Sequence, residues 1–319
     1  MLGRTAEDLF WLSRYVERAE NTARLVEVAY RIGLMPREGG GPFEEWRSAL
    51  TSSGSEQGYL ERHGDLAVDK VIDWMIFDTA NPSSVRACLD VARQNGRAQR
   101  TALTQDMWES LNTTWIELGG LGRGRGGGRM EIGDLVALLD WVKQRSALFR
   151  GALTGTILRN DTWAFSQLGA FVERADNTAR ILDVKYYVLL PEAGMVGGGV
   201  DERQWGAILR SVSAHRSYQW VYRDAFRPWN VAELLILNRQ MPRSLAFAYE
   251  RIVGALDLLA ELHDARLASG TAARATAEIL RNRDIGEIFQ SGLHEFLIDL
   301  RARNDGLAQQ VASDYHFRG

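Results

Sequence analysis

The chain has 319 residues, of which 45% are hydrophobic and 25% are charged, a balance typical of a globular protein with a sizeable core. A net charge of -3 argues against a nucleic-acid-binding protein, and the single cysteine, Cys88, excludes an intrachain disulfide and a cysteine-based zinc cluster. No apolar stretch approaches the ~18 residues of a membrane span, and Glu7 and Asp8 interrupt the N-terminus where a signal peptide would be apolar. We therefore expect a cytoplasmic protein that contacts neither membrane nor nucleic acid.

The first long helix is predicted close to the N-terminus. Thr5 and Asp8 have the spacing of a capping box, and Pro36 with the glycines 39–41 is expected to end the helix. Apolar residues at intervals of three and four form one helical stripe. The stripe consists of Leu9, Leu12, Val16, Ala19, Ala23, Val26 and Tyr30.

A second long helix is predicted halfway along the chain. Asp161 or Thr162 is expected to cap it, and Pro191 with the glycines 197–199 is expected to end it. Each long helix would have ~28 residues and a length of roughly 40 Å, which suits the spine of a helical bundle.

Both long helices carry the same nine-residue string. Val16–Arg24, VERAENTAR, returns as Val172–Arg180, VERADNTAR, and the only difference is Glu20 against Asp176. The rest of the two halves has diverged much further, which indicates that the string is under a specific constraint.

The order of later features is also the same in both halves. An acidic segment with a tryptophan is followed by a tyrosine, an apolar run and a Pro-Ser helix start. No alternating strand pattern of useful length occurs, so we predict an all-α helical bundle built from two pseudo-symmetric repeats, about 1–155 and 156–319, each starting with a long helix. The matched segments are Glu44–Trp46 and Asp201–Trp205, Tyr59 and Tyr218, Val71–Phe77 and Val231–Leu237, and Asn81–Val85 and Met241–Leu245.

Two further expectations concern the glycine-rich run and the tryptophans. The glycine-rich run Gly119–Gly128 is predicted to be a linker, because no strand precedes it and no Lys-Ser/Thr follows it, as a phosphate-binding loop would require. Six tryptophans lie in apolar-periodic stretches and are predicted to be core residues: Trp46, Trp74, Trp108, Trp141, Trp205 and Trp220.

The polar residues of the string are the strongest candidates for a ligand-binding site. Their spacing places them on one face of each helix, and two crossing helices would let Glu17 reach Arg180 and Glu173 reach Arg24. One interpretation is an ion-pair network that fixes how the halves dock. The other is a ligand site, which the retained asparagine favours and which could hold a metal with its phosphate or the amine and carboxylate ends of an amino acid or peptide. The candidates are Glu17, Arg18, Glu20, Asn21, Arg24, Glu173, Arg174, Asp176, Asn177 and Arg180.

Two weaker candidate groups have polar residues at helical spacing. His215 with Arg216 and Tyr218 offers a possible general base, and Arg93, Asn95 and Arg97 form an anion-binding stripe or a solvated face. No glutamate has a histidine three residues on, which excludes a di-iron bundle. We expect neither a metal nor a cofactor, and no catalytic residue can be assigned.

Several motifs together resemble the bacterial alpha-E domain family. They are Phe10–Tyr15 followed by Glu17–Arg24, the Asn81–Ser84 turn, the Arg93–Asn95 segment and the second-half copy Glu173–Asn177. The resemblance extends from Leu2 to about His316, so 1–319 is expected to be a single alpha-E unit.

The resemblance implies an all-α cytoplasmic protein whose genes lie beside a circularly permuted ATP-grasp ligase and a transglutaminase-like peptidase. It therefore implies an accessory or binding component of a peptide synthesis or modification system, with one of these proteins as partner and a small peptide or amino acid as ligand. The alternatives are an enzyme that acts on a peptide or amide bond with Glu17 and Glu173 as acid-base residues, and a structural protein that forms homo-oligomers through its acidic-tryptophan segments.

Overall fold

The computed structural model describes residues 3–35, 43–123, 132–188 and 199–318. These ranges contain fifteen helices and no strand, which confirms the all-α prediction. The first seven helices are α1 Gly3–Gly33, α2 Glu44–Ser53, α3 Glu56–His63, α4 Val68–Ile76, α5 Val85–Ala98, α6 Gln105–Arg123 and α7 Ile132–Thr156. The remaining eight are α8 Asp161–Val188, α9 Gly199–Ser211, α10 His215–Tyr222, α11 Pro228–Ile236, α12 Leu245–His263, α13 Ala268–Asn282, α14 Ile285–Ser291 and α15 Leu293–Asp314.

The two long helices, α1 and α8, pack against each other at the centre of the bundle. Helices α2, α5 and α7 surround α1, and α12 and α15 surround α8. The two helices approach closely at Gly169, where a Cβ atom would overlap the carbonyl oxygen of Phe10. Only glycine permits this approach, which brings the backbones near enough for side chains to cross between the two helices.

The starts of the long helices differ from the predictions. Helix α1 begins at Gly3, so Thr5 lies within it and does not cap it. Helix α8 is capped one residue earlier than expected, because Asn160 Oδ1 accepts hydrogen bonds from the backbone N–H groups of Thr162 (3.1 Å) and Trp163 (3.3 Å). The expected stop signals at Pro36 and Pro191 lie outside the described residues.

The predicted Pro-Ser helix starts are confirmed, with the serines as caps. Ser84 accepts a hydrogen bond from the Ala87 N–H at 3.1 Å, and Ser244 accepts one from the Phe247 N–H at 3.0 Å. The prolines lie in the preceding turns, where each fixes the backbone before the cap. The residue between proline and serine, Ser83 or Arg243, is therefore held in a defined position.

The short acidic-tryptophan segments form helices α2 and α9. Trp46 and Trp205 are buried in the core of the chain itself, and an oligomer interface formed by these segments stays a hypothesis. Among the other predicted core tryptophans, Trp220 is 78% exposed. The apolar periodicity of its segment comes from Tyr218, which is the residue that faces the core.

The glycine-rich segment is not a linker throughout. Gly119 and Gly120 lie within helix α6, which continues to Arg123. Leu118 is fully buried and anchors this last part of the helix, which offsets the cost of about 1 kcal/mol that each helical glycine adds. Residues 124–128 lie outside the described ranges.

A continuous cluster of buried apolar side chains extends from α1 to α15 in the part of the chain that the structure describes. In the same ranges no helix combines the length and the apolar character needed to cross a bilayer. The division of the chain into two repeats stays a prediction at this level.

Candidate functional site

The two copies of the string meet across the α1–α8 contact and exchange arginines. Arg174 donates two parallel hydrogen bonds to Glu17, from Nε and Nη2, both at 2.9 Å. Arg18 donates two to Glu173, from Nε at 2.6 Å and from Nη2 at 2.8 Å. Such forked pairs between a guanidinium and a carboxylate are among the strongest hydrogen-bonded contacts in proteins. Each Glu-Arg dipeptide thus contacts the other in a reciprocal arrangement.

The predicted partners of the glutamates were wrong. Arg24 pairs with Glu20 of its own helix at 2.9 Å, and Arg180 pairs with Asp176 of its own helix at 2.6 Å. Arg180 also donates to the Ser52 carbonyl at the end of α2, at 3.3 Å. These arginines lie two turns beyond the glutamates, so they reach the ends of neighbouring helices instead of the crossing helix.

One side of the crossing is filled by arginines from other helices. Arg243 Nη1 donates to Glu17 at 3.3 Å and to Asn21 Oδ1 at 3.4 Å, while its Nη2 donates to Glu20. Arg150 of α7 donates to Glu17 at 3.3 Å and also to Glu20. Glu20 has no exposed side-chain surface. We call this part, formed by Glu17, Glu20, Asn21 and these two arginines, the sealed side.

The other side of the crossing contains a polar cavity of about 230 Å³. Its walls also include Ser83 and the end of α2 at Ser52, Ser53 and Gly54. Gly54 is exposed, so the cavity reaches the protein surface there. We call this part the open side. The string residues that line it are Arg18, Asn21, Thr22, Glu173, Asp176, Asn177 and Arg180.

Matching residues of the two strings differ in exposure on the two sides. The Arg18 side chain is 24% exposed, against 9% for Arg174. The Arg180 side chain is 26% exposed, against 7% for Arg24. The same residue types therefore form a sealed ion-pair core on one side and the wall of an accessible cavity on the other.

One cause of the difference between the sealed and open sides lies in the Pro-Ser turns. Thr22 donates to the Ser83 carbonyl at 2.9 Å, and Thr178 donates to the Arg243 carbonyl at 2.8 Å, so the two turns are held against the strings in the same way. Arg243 extends its side chain into the sealed side, whereas the short Ser83 side chain leaves the matching space empty.

A second difference lies in the turns after α2 and α9. Gly54 and Ser213 both have positive φ angles, 70° and 57°. Ser213 Oγ accepts a hydrogen bond from Arg24 at 3.2 Å, whereas a Cβ at Gly54 would lie 3.7 Å from Arg180 Nη1. The open side thus lacks two side chains that fill the sealed side.

Three buried polar atoms in or beside the open side make no hydrogen bond. They are Asn21 Nδ2, Asp176 Oδ1 and Arg301 Nε. Arg301 Nε lies 3.6 Å from Asp176 Oδ1, which is an ion pair without a hydrogen bond. Buried polar groups are normally satisfied, so a donor and an acceptor left over at the wall of a cavity favour a ligand or ordered water there.

Two of the string carboxylates, Glu17 and Glu173, are held in the ionised form. Burial alone would raise the pKa of Glu17, but nearby arginines, above all Arg174 and Arg243, hold that pKa well below its ordinary value. Burial also opposes ionisation of Glu173, yet Arg18 and Arg14 lower its pKa to about 2. These carboxylates are therefore permanent negative charges near neutral pH.

The group around His215 lies outside this site. Burial, Arg210 and Arg216 lower the pKa of His215, and its ring contacts Phe226 at a centroid distance of 5.0 Å. The Tyr218 hydroxyl donates to the Ala225 carbonyl at 2.6 Å and so has a structural role. These contacts are with the segment that follows α10, and they give no support to the hypothesis of a general base at His215.

The Arg93 group holds two helices together. Arg93 Nε donates to Asn112 Oδ1 at 2.9 Å, and its guanidinium lies 4.1 Å from the centre of the Trp115 ring. These contacts fix α5 on α6, while Asn95 is half-buried and Arg97 is exposed on the surface of α5. The structure does not bring this group into the site.

The sequence analysis missed four arginines of the site, Arg14, Arg150, Arg243 and Arg301, and one serine, Ser83. Arg14 donates to Glu173 at 2.8 Å from one turn before Arg18, so the helical spacing already contained this signal. The comparison of Ser83 with Arg243 in the matched turns was a second available signal. Arg150 lies in α7 with no pattern that marks it. Among the described residues, no group of three or more His, Cys, Asp or Glu side chains is placed to hold a metal ion.

The fold and the site together define an all-helical domain organised around buried glutamate–arginine pairs. Residues 1–316 match the Alpha-E family, described as a predicted alpha-helical domain with a conserved ER motif, and the chain belongs to this family. The resemblance predicted from the sequence is thereby confirmed. No curated protein and no solved structure matches the chain.

Proposed function

We propose that this Alpha-E chain is a non-catalytic binding component, and that its ligand is a small peptide or amino acid held at the open side. The observation that carries the proposal is the cavity of about 230 Å³, whose walls are made largely of string residues. This volume is far above the ~10–15 Å³ that one water needs. Six of the ten candidates predicted from the sequence line it, namely Arg18, Asn21, Glu173, Asp176, Asn177 and Arg180.

The chemistry of the walls supports a ligand with charged or strongly polar ends. Asn21 Nδ2 is a buried donor without a hydrogen bond, and Asp176 Oδ1 accepts no hydrogen bond, with Arg301 Nε 3.6 Å away. Arg18 and Arg180 line the cavity and keep about a quarter of their side-chain surface exposed, 24% and 26%. Peptides and amino acids carry both donors and acceptors within a few bonds, which fits a wall of this mixed character.

An enzymatic role for the string glutamates is less well supported. A general acid or base works best when its pKa is near the working pH. The pKa of Glu173 is about 2, and that of Glu17 is held still further below its ordinary value. Both carboxylates also use their oxygens for forked arginine pairs, so they are poorly suited to exchange protons with a substrate.

We also propose that the chain is a duplication of one unit, with repeats at about 1–155 and 156–319. Matched contacts support this: Arg18 and Arg174 exchange partners, and Thr22 and Thr178 hold equivalent turns. Beyond the strings, Lys143 pairs with Glu27 at 2.6 Å, as His294 pairs with Asp183 at 2.5 Å. Glu27 and Asp183 occupy the same position relative to the two strings.

The partners that the family resemblance implies belong to the same proposal. An ATP-grasp ligase or a transglutaminase-like peptidase would act on the peptide that this chain holds. Co-expression of the chain with each of these proteins, followed by co-purification, tests the partnership. Recovery of neither partner would contradict this part of the proposal.

The binding function is tested by ligand-observed NMR with mixtures of amino-acid amides and dipeptides. We expect at least one compound to bind the wild-type chain and to lose binding in Ser83→Met, because the longer side chain fills the cavity without adding charge. The control is Ser313→Met, the same change at an exposed position of α15, which should bind as the wild type does. Absence of binding to the wild type, or equal binding to Ser83→Met, would overturn the proposal.

A further inference from the structure

We propose that the open side is a guanidinium site, which takes the side chain of an arginine residue carried by the ligand. This inference rests on the proposed binding function and specifies its ligand. The proposal rests on a comparison of the two sides. The space on the sealed side that corresponds to the cavity of the open side is occupied by the guanidinium of Arg243.

The contacts of Arg243 define what such a guanidinium requires. It donates to Glu17 and Asn21, at 3.3 and 3.4 Å, and to Glu20. In the second string these positions are Glu173, Asn177 and Asp176. All three residues line the cavity of the open side.

The carboxylate that lacks a donor is that of Asp176. On Glu20, Oε1 is bound by both Arg24 and Arg243, and Oε2 is bound by Arg150. On Asp176, Oδ2 is bound by Arg180 at 2.6 Å, and Oδ1 has Arg301 Nε at 3.6 Å. The donor without a counterpart is therefore that of Arg243, and a guanidinium at the open side would supply it to Oδ2.

The charge balance differs between the two sides by one positive charge. Four arginines pair with three carboxylates at the open side, and four pair with two at the sealed side. The missing positive charge is the one that Arg243 supplies on the sealed side. The open-side set is Arg14, Arg18, Arg180 and Arg301 with Glu173, Asp176 and Asp183, and the sealed-side set is Arg24, Arg150, Arg174 and Arg243 with Glu17 and Glu20.

The geometry favours a guanidinium over an ammonium ion or an anion. The three acceptors belong to two carboxylates and one amide on one face of α8, which a planar fork with five N–H donors can contact together. An anion would have to compete with Glu173 and Asp176 for Arg18 and Arg180, whose best donors are already used. Asn21 Nδ2 remains for a carbonyl oxygen, which an arginine within a peptide would carry.

Isothermal titration calorimetry with defined probes tests the assignment. The probes are N-acetylarginine amide, free L-arginine, N-acetyllysine amide, acetate and inorganic phosphate. We expect one arginine probe per chain to bind, with the lysine amide weaker by about tenfold or more and neither anion bound. Tighter binding of the blocked residue would indicate a peptide, and tighter binding of free arginine would indicate the amino acid itself.

Two variants separate the cation site from a general polar cavity. Ser83→Arg should abolish binding of the arginine probes, because its own guanidinium fills the site as Arg243 does. Asp176→Asn should weaken binding by about tenfold or more through loss of the charged acceptor. The control Asp299→Asn removes an exposed carboxylate of α15 and should leave binding unchanged.

A further variant tests whether the Arg243 site on the sealed side accepts a free guanidinium. Arg243→Ala should lower the thermal midpoint, and millimolar methylguanidinium should restore it in part, while methylammonium should not. If anions or other amino acids bind and the arginine probes do not, the guanidinium assignment is overturned while the binding function stands. If no probe of any kind binds the wild type, both proposals fail.

Discussion

The sealed side and the open side of the α1–α8 crossing are built from the same nine-residue string, yet they have different surroundings. On the sealed side Arg243 and Ser213 occupy the space beside Glu20 and Arg24. On the open side Ser83 and Gly54 leave the corresponding space beside Asp176 and Arg180 empty. The comparison teaches that the string supplies reciprocal ion pairs in both copies, and that the turns around it decide whether a cavity remains.

The largest expected effect comes from removing a carboxylate of the sealed side. Glu17→Gln leaves Arg174 without its counter-charge and removes one of the two carboxylates that face Arg243, all in a buried place, which should lower the free energy of unfolding by about 3–5 kcal/mol. Glu173→Gln should cost less, about 2–3 kcal/mol, because Arg18 can turn towards water in the cavity. Urea unfolding of both variants measures the difference. A larger loss for Glu173→Gln would contradict the distinction between the two sides.

The next largest effect is a loss of folding stability at low pH. The folded-state pKa of Glu173 is about 2, below its ordinary value of 4.5. A carboxylate with a depressed pKa stabilises the fold above its unfolded pKa and loses that contribution as the pH falls towards the folded pKa. Glu173 should therefore contribute on the order of 3 kcal/mol at neutral pH, and this contribution should fade between pH 4.5 and about 2.

Urea unfolding at several pH values tests this acid dependence. The wild type should lose stability throughout that window, and Glu173→Gln should show a shallower loss. Glu17 should behave in the same direction, with its loss extending to lower pH. Parallel profiles of stability against pH for the wild type and Glu173→Gln would contradict the lowered pKa assigned to Glu173.

A smaller effect is expected when the filling side chain is removed. Arg243→Ser should lower the free energy of unfolding by about 2–3 kcal/mol, because Glu17 and Glu20 keep Arg150 as a shared partner. The matched control is Arg239→Ser, which removes an exposed arginine that pairs with Glu250 and should cost less than about 1 kcal/mol. Equal losses in the two variants would show that Arg243 does not seal its side.

The smallest expected effect concerns the threonines that hold the turns. Thr22→Val and Thr178→Val each remove one hydrogen bond to a backbone carbonyl and should each cost about 1 kcal/mol. The losses should be similar, since this contact is common to both sides. Thr22→Val should in addition weaken binding of the arginine probes, because it releases the turn that carries Ser83. Calorimetric unfolding and titration of the same samples compare the two variants.

Much of the fold could be predicted from local patterns. The apolar stripes located α1 and α8, and the serine caps located α5 and α12, because these signals act between residues close in the chain. The start of α8 was missed by one residue, since Asn160, Asp161 and Thr162 are all good caps and the choice depends on the conformation of the preceding turn.

The candidate site could be predicted in its members but not in its contacts. The residues of the string were identified, whereas the partners of Glu17 and Glu173 were not, because the crossing geometry of α1 and α8 decides which arginine reaches across. Arg150 comes from a third helix, and no periodicity links it to the strings. The exposure of Trp220 was missed for a similar reason, since its segment has apolar residues on more than one face.

The central claim is that Ser83 and Arg243 decide whether the space beside the string is open or filled. A crystal structure of the Ser83→Arg variant tests it most directly. The account predicts that the new guanidinium enters the cavity and contacts Glu173, Asp176 and Asn177, as Arg243 contacts Glu17, Glu20 and Asn21. An arginine side chain that turns to solvent and leaves the cavity empty would contradict the account.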